Sequence, residues 1–88
     1  MVHGGIVSTV LDEAMSKAVA AAHGVAVTGE LRVRFRHPVA PGEELHIRGW
    51  IVERKKRLVA AEATLTSSDA SQRAHASAAF LLLSKPDR

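Results

Sequence analysis

"IVSTVLDEAMSKAVAAAHGVAVTGELRVRF", Ile6–Phe35, changes its hydrophobic period once, and that change decides the fold. From Ile6 to Ala22 the apolar residues fall at 6, 7, 10, 11, 14, 15, 18, 19 and 22, the recurrence of a helix with a wide buried face. Ser8 and Thr9 can cap its first turn, and His23-Gly24 marks its end. The spacing predicts one helix of about 16 residues. After Gly24 the period falls to 2: Val27, Gly29, Leu31, Val33 and Phe35 alternate with Thr28, Glu30, Arg32, Arg34 and Arg36. That alternation predicts a strand with the first set buried and the second solvated.

Downstream the strand pattern continues. Pro38 and "APGEE" (40–44) read as a turn. Leu45, Ile47, Gly49 and Ile51 then alternate with His46, Arg48, Trp50 and Val52, and the basic hairpin "ERKKR" (53–57) closes this second strand. A third strand is predicted from Leu58 to about Thr66. "SSDASQR" (67–73) has turn composition, and Ala74–Leu83 reads as a last strand that loses its alternation near "AFLLL", as where both faces become covered. One helix followed by four strands with short hairpin-type links predicts an α+β domain spanning residues 1–88, an antiparallel sheet wrapped over one apolar helix.

Composition narrows the function classes. A chain of 88 residues buries only about 60% of its unfolded surface, so help from a partner chain is plausible. The 47% hydrophobic content argues for a folded domain. There is no cysteine, which removes disulfides, thiolate metal sites and Cys nucleophiles. No apolar run approaches the roughly 20 residues of a membrane span and no signal-peptide pattern opens the chain, so it reads as cytosolic. A net charge of +3 favours an anionic partner. Nucleic acid is disfavoured, because one Trp and two Phe are too few and too scattered to form stacking platforms.

The start of the helix carries the chemistry. "HGGIVSTVLDEAM", His3–Met15, places two glycines where a helix exposes backbone N–H groups and a partial positive charge. Glycine lets a ligand approach that backbone, so the amide of Gly4 or Gly5 could hold a carbonyl oxygen as it gains charge. The plain alternative is a tight turn before a helix. His3 more naturally holds that turn by a hydrogen bond. Asp12 shares a helical stripe with Ser8 and Ser16, where a half-desolvated carboxylate could attack a carbonyl carbon or deprotonate a water that does so. Glu13, the rival acid, is placed to pair with Lys17 at i+4. Gly4 and Asp12 lie about 12 Å apart along one helix, so a site using both is expected to be shared between two chains.

"HGGIVSTVLDEA", "TGELRVRFRHPVAPGEEL", a basic hairpin and an alanine-rich last strand together resemble the hotdog-fold acyl-CoA thioesterases of the phenylacetate-type (PaaI-like) branch. The likeness covers nearly the whole chain. Members usually carry an N-terminal strand, and often a short helix, before the His-Gly-Gly; here two residues precede it, which bears on strand count and on the completeness of the pocket. The resemblance implies a cytoplasmic thioester hydrolase with the Gly4 amide as oxyanion hole, Asp12 as nucleophile or base, and Thr28 where related enzymes carry a water-orienting hydroxyl, though an ordinary strand threonine reads equally well. It also implies a homodimer or homotetramer with composite sites and no metal or redox cofactor, coenzyme A being part of the substrate. His3 and Gly5 would line the substrate site. Arg54, Lys55, Lys56 and Arg57 suit the phosphates of coenzyme A, unless they form only a solvated turn. A non-catalytic hotdog module binding acyl-CoA or a protein is the alternative from another class.

Overall fold

The computed structural model describes residues 4–83. Helix α1 spans Gly4–His23, followed by strands β1 (Ala26–Phe35), β2 (Leu45–Lys55), β3 (Leu58–Ser67) and β4 (Gln72–Leu82). The helix starts two residues earlier than the apolar period indicates, so Ser8 and Thr9 lie inside it and are not caps. The Thr9 hydroxyl instead donates back to the Gly5 carbonyl at 2.9 Å. Its end falls where the sequence places it, with Gly24 at φ 96° and its N–H bonded to the Ala20 carbonyl at 3.1 Å.

All four strands run antiparallel in the order β1-β4-β3-β2. Hairpins join β2 to β3 and β3 to β4, but the link from β1 to β2 is no hairpin: residues 36–44 cross from one edge of the sheet to the other. Ala40 to Glu43 fold into a turn within this crossover, closed by the Glu43 N–H on the Ala40 carbonyl at 3.2 Å. Pro41 and Gly42, at φ 80°, suit the two central positions of a type II turn. The expectation failed because a turn signal reports where the chain bends, and not which strand it meets next.

Every fourth helix residue, Val7, Leu11, Met15 and Val19, is buried against the sheet. The two central strands receive it with alternating side chains: Val59, Ala61, Ala63 and Leu65 from β3, and Ala74, Ala76, Ala78, Phe80 and Leu82 from β4. Ala61 faces Ala78 and Ala63 faces Ala76 across the ladder, so the middle of the sheet is a trough of methyl groups between larger side chains. The helix settles into that trough, and the closeness of the packing comes from small residues meeting large ones. Alternation persists through β4, leaving Leu81 exposed on the outer face; the "AFLLL" segment is therefore covered on one face only.

Three bulges interrupt the ladders. In β1, Thr28 opposes Phe80 while Glu30 opposes Ala79, so Gly29 is an extra residue. In β2, Val52 is extra between Ile51 and Glu53; in β4, Arg73 is extra between Gln72 and Ala74. Since side-chain direction alternates with period 2, each bulge reverses the phase of the residues beyond it. Thr28 therefore shares the helix side with Leu31, Val33 and Phe35, while Val27 turns outward, correcting the simple alternation read from sequence. The apolar row of β1 is also poorly covered: Leu31 and Phe35 stay 37% and 53% exposed, because β1 is an edge strand.

The β3–β4 turn is held by polar groups. Asp69 accepts from the Ser67 hydroxyl and, at 3.0 Å, from the Ser71 N–H, while the Ser67 N–H donates to the Ser71 carbonyl at 3.0 Å. The Ser67 hydroxyl first, then the Ser71 N–H, lower the carboxyl pKa from 3.8 to about 2. A depressed folded-state pKa means that the carboxylate's contribution is complete above about pH 4 and vanishes as pH falls through about 2. Asp69→Asn is expected to unfold more readily than wild type at neutral pH and to converge with it below about pH 2. Denaturant midpoints measured from neutral pH down to that region check this, and a gap that does not narrow on acidification would contradict it.

Candidate active site

The buried stripe of α1 has two flanks. One residue beyond it, Ser8, Asp12 and Ser16 form a half-buried row, and on this side the Thr28 hydroxyl of β1 donates to Asp12 Oδ1 at 2.9 Å. Thr28 stands opposite Phe80, whose side chain faces the helix, and the Gly29 bulge lets Leu31, Val33 and Phe35 share that face with it. One oxygen of Asp12 is thus held by a strand, at a groove formed by Thr9, Asp12, Glu13, Ser16, Lys17 and Ala20. Glu13 and Lys17 are both exposed. The opposite flank carries Ala14, which lies against Gly49 of β2: a Cβ built on Gly49 would stand 2.7 Å from the Ala14 carbonyl oxygen.

At the helix start the chain encloses a different space. An open cavity of about 360 Å³ is lined by Gly4, Val7 and the segment Phe35–Val39. The Phe35 ring lies over Gly4, 3.4 Å from where a Cβ would be, an ordinary contact distance. No acid occupies the first helical turn, and the positive end of the helix is not offset there. Sequence reading missed Phe35, His37 and Val39 as wall residues and placed Arg36 on the solvated face of β1. The "HPVAPGEE" stretch gave a signal for a turn, and nothing in it indicated that the turn would pass over the helix start.

The two halves of the predicted site are therefore separate within one chain, with Gly4 at the cavity and Asp12 two helical turns away beside Thr28. His3 lies outside the described residues. Gly5 stands next to Gly4, its carbonyl engaged by Thr9.

The basic hairpin does not act as one cluster. The Val52 bulge puts Arg54 on the helix side, where Nη1 donates to His23 Nδ1 at 3.2 Å and Nε to the Lys56 carbonyl at 2.8 Å. A guanidinium only donates, so the His23 ring accepts through Nδ1 in this arrangement. Arg57 donates to the Leu82 and Leu83 carbonyls. Lys55 and Lys56 are exposed at the tip of the hairpin. Arg32, on the outer face, pairs with Glu30 at 3.2 Å, both largely solvated, which matches the plain reading of a solvated sheet face. Among the described residues no three His, Asp or Glu side chains converge as ligands for a metal ion, and no helix is long and apolar enough to cross a membrane.

The same helix and sheet recur in solved structures. A Bacillus halodurans protein crystallised with CoA is 32% identical and superposes with a TM-score of 0.81 over 94% of this chain. A Streptococcus mutans protein bound to acetyl-CoA (21% identity, TM-score 0.90, 97% of this chain and 68% of its own) and a Streptococcus pneumoniae hypothetical thioesterase with coenzyme A (16%, 0.91, 97% and 68%) share the fold. The chain spans 60% of the length of the B. halodurans protein and 61% of another thioesterase superfamily protein. No sequence among curated proteins matches. The thioesterase superfamily profile matches residues 1–74, a range holding the helix with its glycine start, the Asp12–Thr28 pair and the crossover. By that match, and by a helix cradled in a four-stranded antiparallel sheet, the chain belongs to the thioesterase superfamily and has its hotdog fold.

Proposed function

We propose that this chain hydrolyses an acyl-CoA thioester to free acid and coenzyme A, in a site built by two copies. The observation that carries the reading is the Asp12–Thr28 hydrogen bond, formed on the flank of α1 that faces β1, one of the two edge strands. Thr28 fixes one carboxylate oxygen and leaves the other for chemistry. Asp12 takes a proton from water as the hydroxide adds to the carbonyl carbon, or attacks that carbon itself and is released by water in a second step; in both the C–S bond breaks and the thiolate leaves with a proton. The Gly4 N–H of the other copy stabilises the oxygen as it becomes negative.

Support for two copies comes from β1. Among the described residues its outer edge has no strand beside it, and Leu31, Phe35 and Ile6 keep apolar surface exposed. Pairing two β1 strands about a twofold axis would extend the sheet, cover that surface and bring the Gly4 cavity of one copy toward the Asp12 groove of the other. A dimer, or a tetramer of two such dimers, is the assembly this pairing builds. The CoA phosphates would lie on Lys55 and Lys56, with Arg54 and Arg57 already holding backbone or His23. Coenzyme A enters as part of the substrate, and neither route calls for a metal or redox cofactor. The coenzyme A and acetyl-CoA bound by the solved relatives support this choice of ligand.

The test is subunit mixing. Gly4→Pro removes the amide at a helical position that accepts proline, and Asp12→Asn removes the base; each is expected to be nearly inactive toward hexanoyl-, benzoyl- and phenylacetyl-CoA, followed by thiol release. Refolded together in equal amounts they should recover about a quarter of wild-type activity, since half the dimers are mixed and each of these holds one intact site. No recovery, or a monomer at micromolar concentration, would refute the shared site. Binding of acyl-CoA without turnover by wild type would make the chain a non-catalytic module.

A further inference from the structure

We infer that Arg73 is a positioning residue for the acyl pocket: it sets the distance between the Phe35–Val39 wall and the start of α1. The inference rests on reading the Gly4 cavity as the place where the acyl group enters. Four of the seven residues lining that cavity belong to the crossover, Arg36, His37, Pro38 and Val39, and among the described residues the only backbone bonds from these four to a strand are those of Arg36 and His37 to Arg73 of β4.

Arg73 is the extra residue of the β4 bulge, and a bulge redirects a side chain that regular pleating would send to one face. Its backbone carbonyl accepts from the N–H groups of both Arg36 and His37, at 2.8 and 3.2 Å. The side chain reaches farther along the same segment: Nη1 donates to the Pro38 carbonyl at 3.3 Å and Nη2 to Glu43 Oε2 at 2.6 Å. The other oxygen of Glu43 accepts from the Ala40 N–H at 3.0 Å, so one carboxylate fastens the type II turn and the guanidinium together. Only 22% of the Arg73 side chain and 19% of that of Glu43 are exposed, which shields the pair more than an ordinary surface ion pair. Nε of Arg73 is buried with no hydrogen-bond partner among the described residues. Its orientation is thus governed by the two Nη contacts, both of which hold the crossover. Val39, buried at the bottom of that segment, is the point through which the hold reaches the cavity.

A residue that merely stabilised the fold would weaken all ligands alike by lowering the folded fraction. A residue that places one wall of the pocket would weaken only the part of the ligand that touches the wall. Calorimetric titration of the full chain with coenzyme A and with its S-hexyl thioether, which cannot be hydrolysed, separates these. Wild type should bind S-hexyl-CoA more tightly than coenzyme A. In Arg73→Met that preference should shrink by roughly tenfold while the affinity for coenzyme A stays unchanged. Arg73→Lys, which reaches one acceptor at a time, should fall between, as should Glu43→Gln; either serves if Arg73→Met does not fold. An unchanged preference in a folded variant overturns the role of Arg73, as does equal binding of the two ligands by wild type, which also removes the acyl pocket from this cavity. Tight S-hexyl-CoA binding with no hydrolysis of hexanoyl-CoA overturns the enzymatic reading and leaves Arg73 its place.

Discussion

Asp12→Asn is expected to lower kcat for acyl-CoA hydrolysis by about a thousandfold, the middle of the range a positioned general base supplies, with the fold intact. The substitution is nearly isosteric, and its side-chain oxygen can still accept from Thr28, so the strand contact that holds position 12 survives. What disappears is the charge that, in the proposed reaction, attacks the carbonyl or takes the proton from water. Thr28→Val makes the complementary change: the carboxylate stays and its anchor goes. A hydroxyl donating to a carboxylate contributes about 1.5 kcal/mol, so this variant should lose about tenfold. Steady-state thiol release, with circular dichroism to confirm folding, checks both. Substantial activity in Asp12→Asn would remove this acid from the chemistry, whatever the fate of the dimer.

The largest effect on stability is expected from Gly49→Ala. The added methyl would lie 2.7 Å from the Ala14 carbonyl oxygen, 2.8 Å from its carbon and 3.1 Å from the Met15 nitrogen. These are backbone atoms of a helix seated in the alanine trough, so no side chain can rotate away. The helix must lift from β2 or the strand must bend, which overpacking measurements put at about 3 kcal/mol, a fall of roughly 10 to 20 °C in Tm for a domain of this size. Gly29→Ala is the control: its methyl would meet only the Ala79 carbonyl oxygen, at an ordinary 3.5 Å, and should be nearly silent. Thermal melts of the two variants decide, and similar values would show that the contact at Gly49 is not what limits helix docking.

The sequence made some of this legible and hid the rest for physical reasons. The helix was visible because burial of Val7, Leu11, Met15 and Val19 imposes a period that no strand shares, and the same period placed Ser8, Asp12 and Ser16 together on its half-buried flank. The strands were visible from alternation, within two residues at every end except that of β2, which runs on to Lys55 through three residues that the sequence reading gave to the hairpin. Their order was not, since β1 meets β4 only through contacts between residues far apart in sequence. The bulges were hidden for a related reason: an extra residue is defined by the strand opposite, so Thr28 was assigned the wrong face and Arg54 to a cluster it does not join. Gly49 was placed on the correct face by its parity, but its nearness to Ala14 arises only when helix and sheet dock. Arg73 and Glu43 looked like ordinary turn-flanking charges, because their partnership spans the crossover.

The bulge in β1 bears on how this chain should be aligned with others. Thr28 and Glu30 lie opposite Phe80 and Ala79, which are immediate neighbours in β4. A version of the strand lacking the intervening glycine would fit the same ladder and still direct its hydroxyl to the same acid. A one-position gap at Gly29 is therefore compatible with a preserved threonine–aspartate couple, whereas a gap between Leu31 and Phe35 would reverse the side chains that lie beneath the helix.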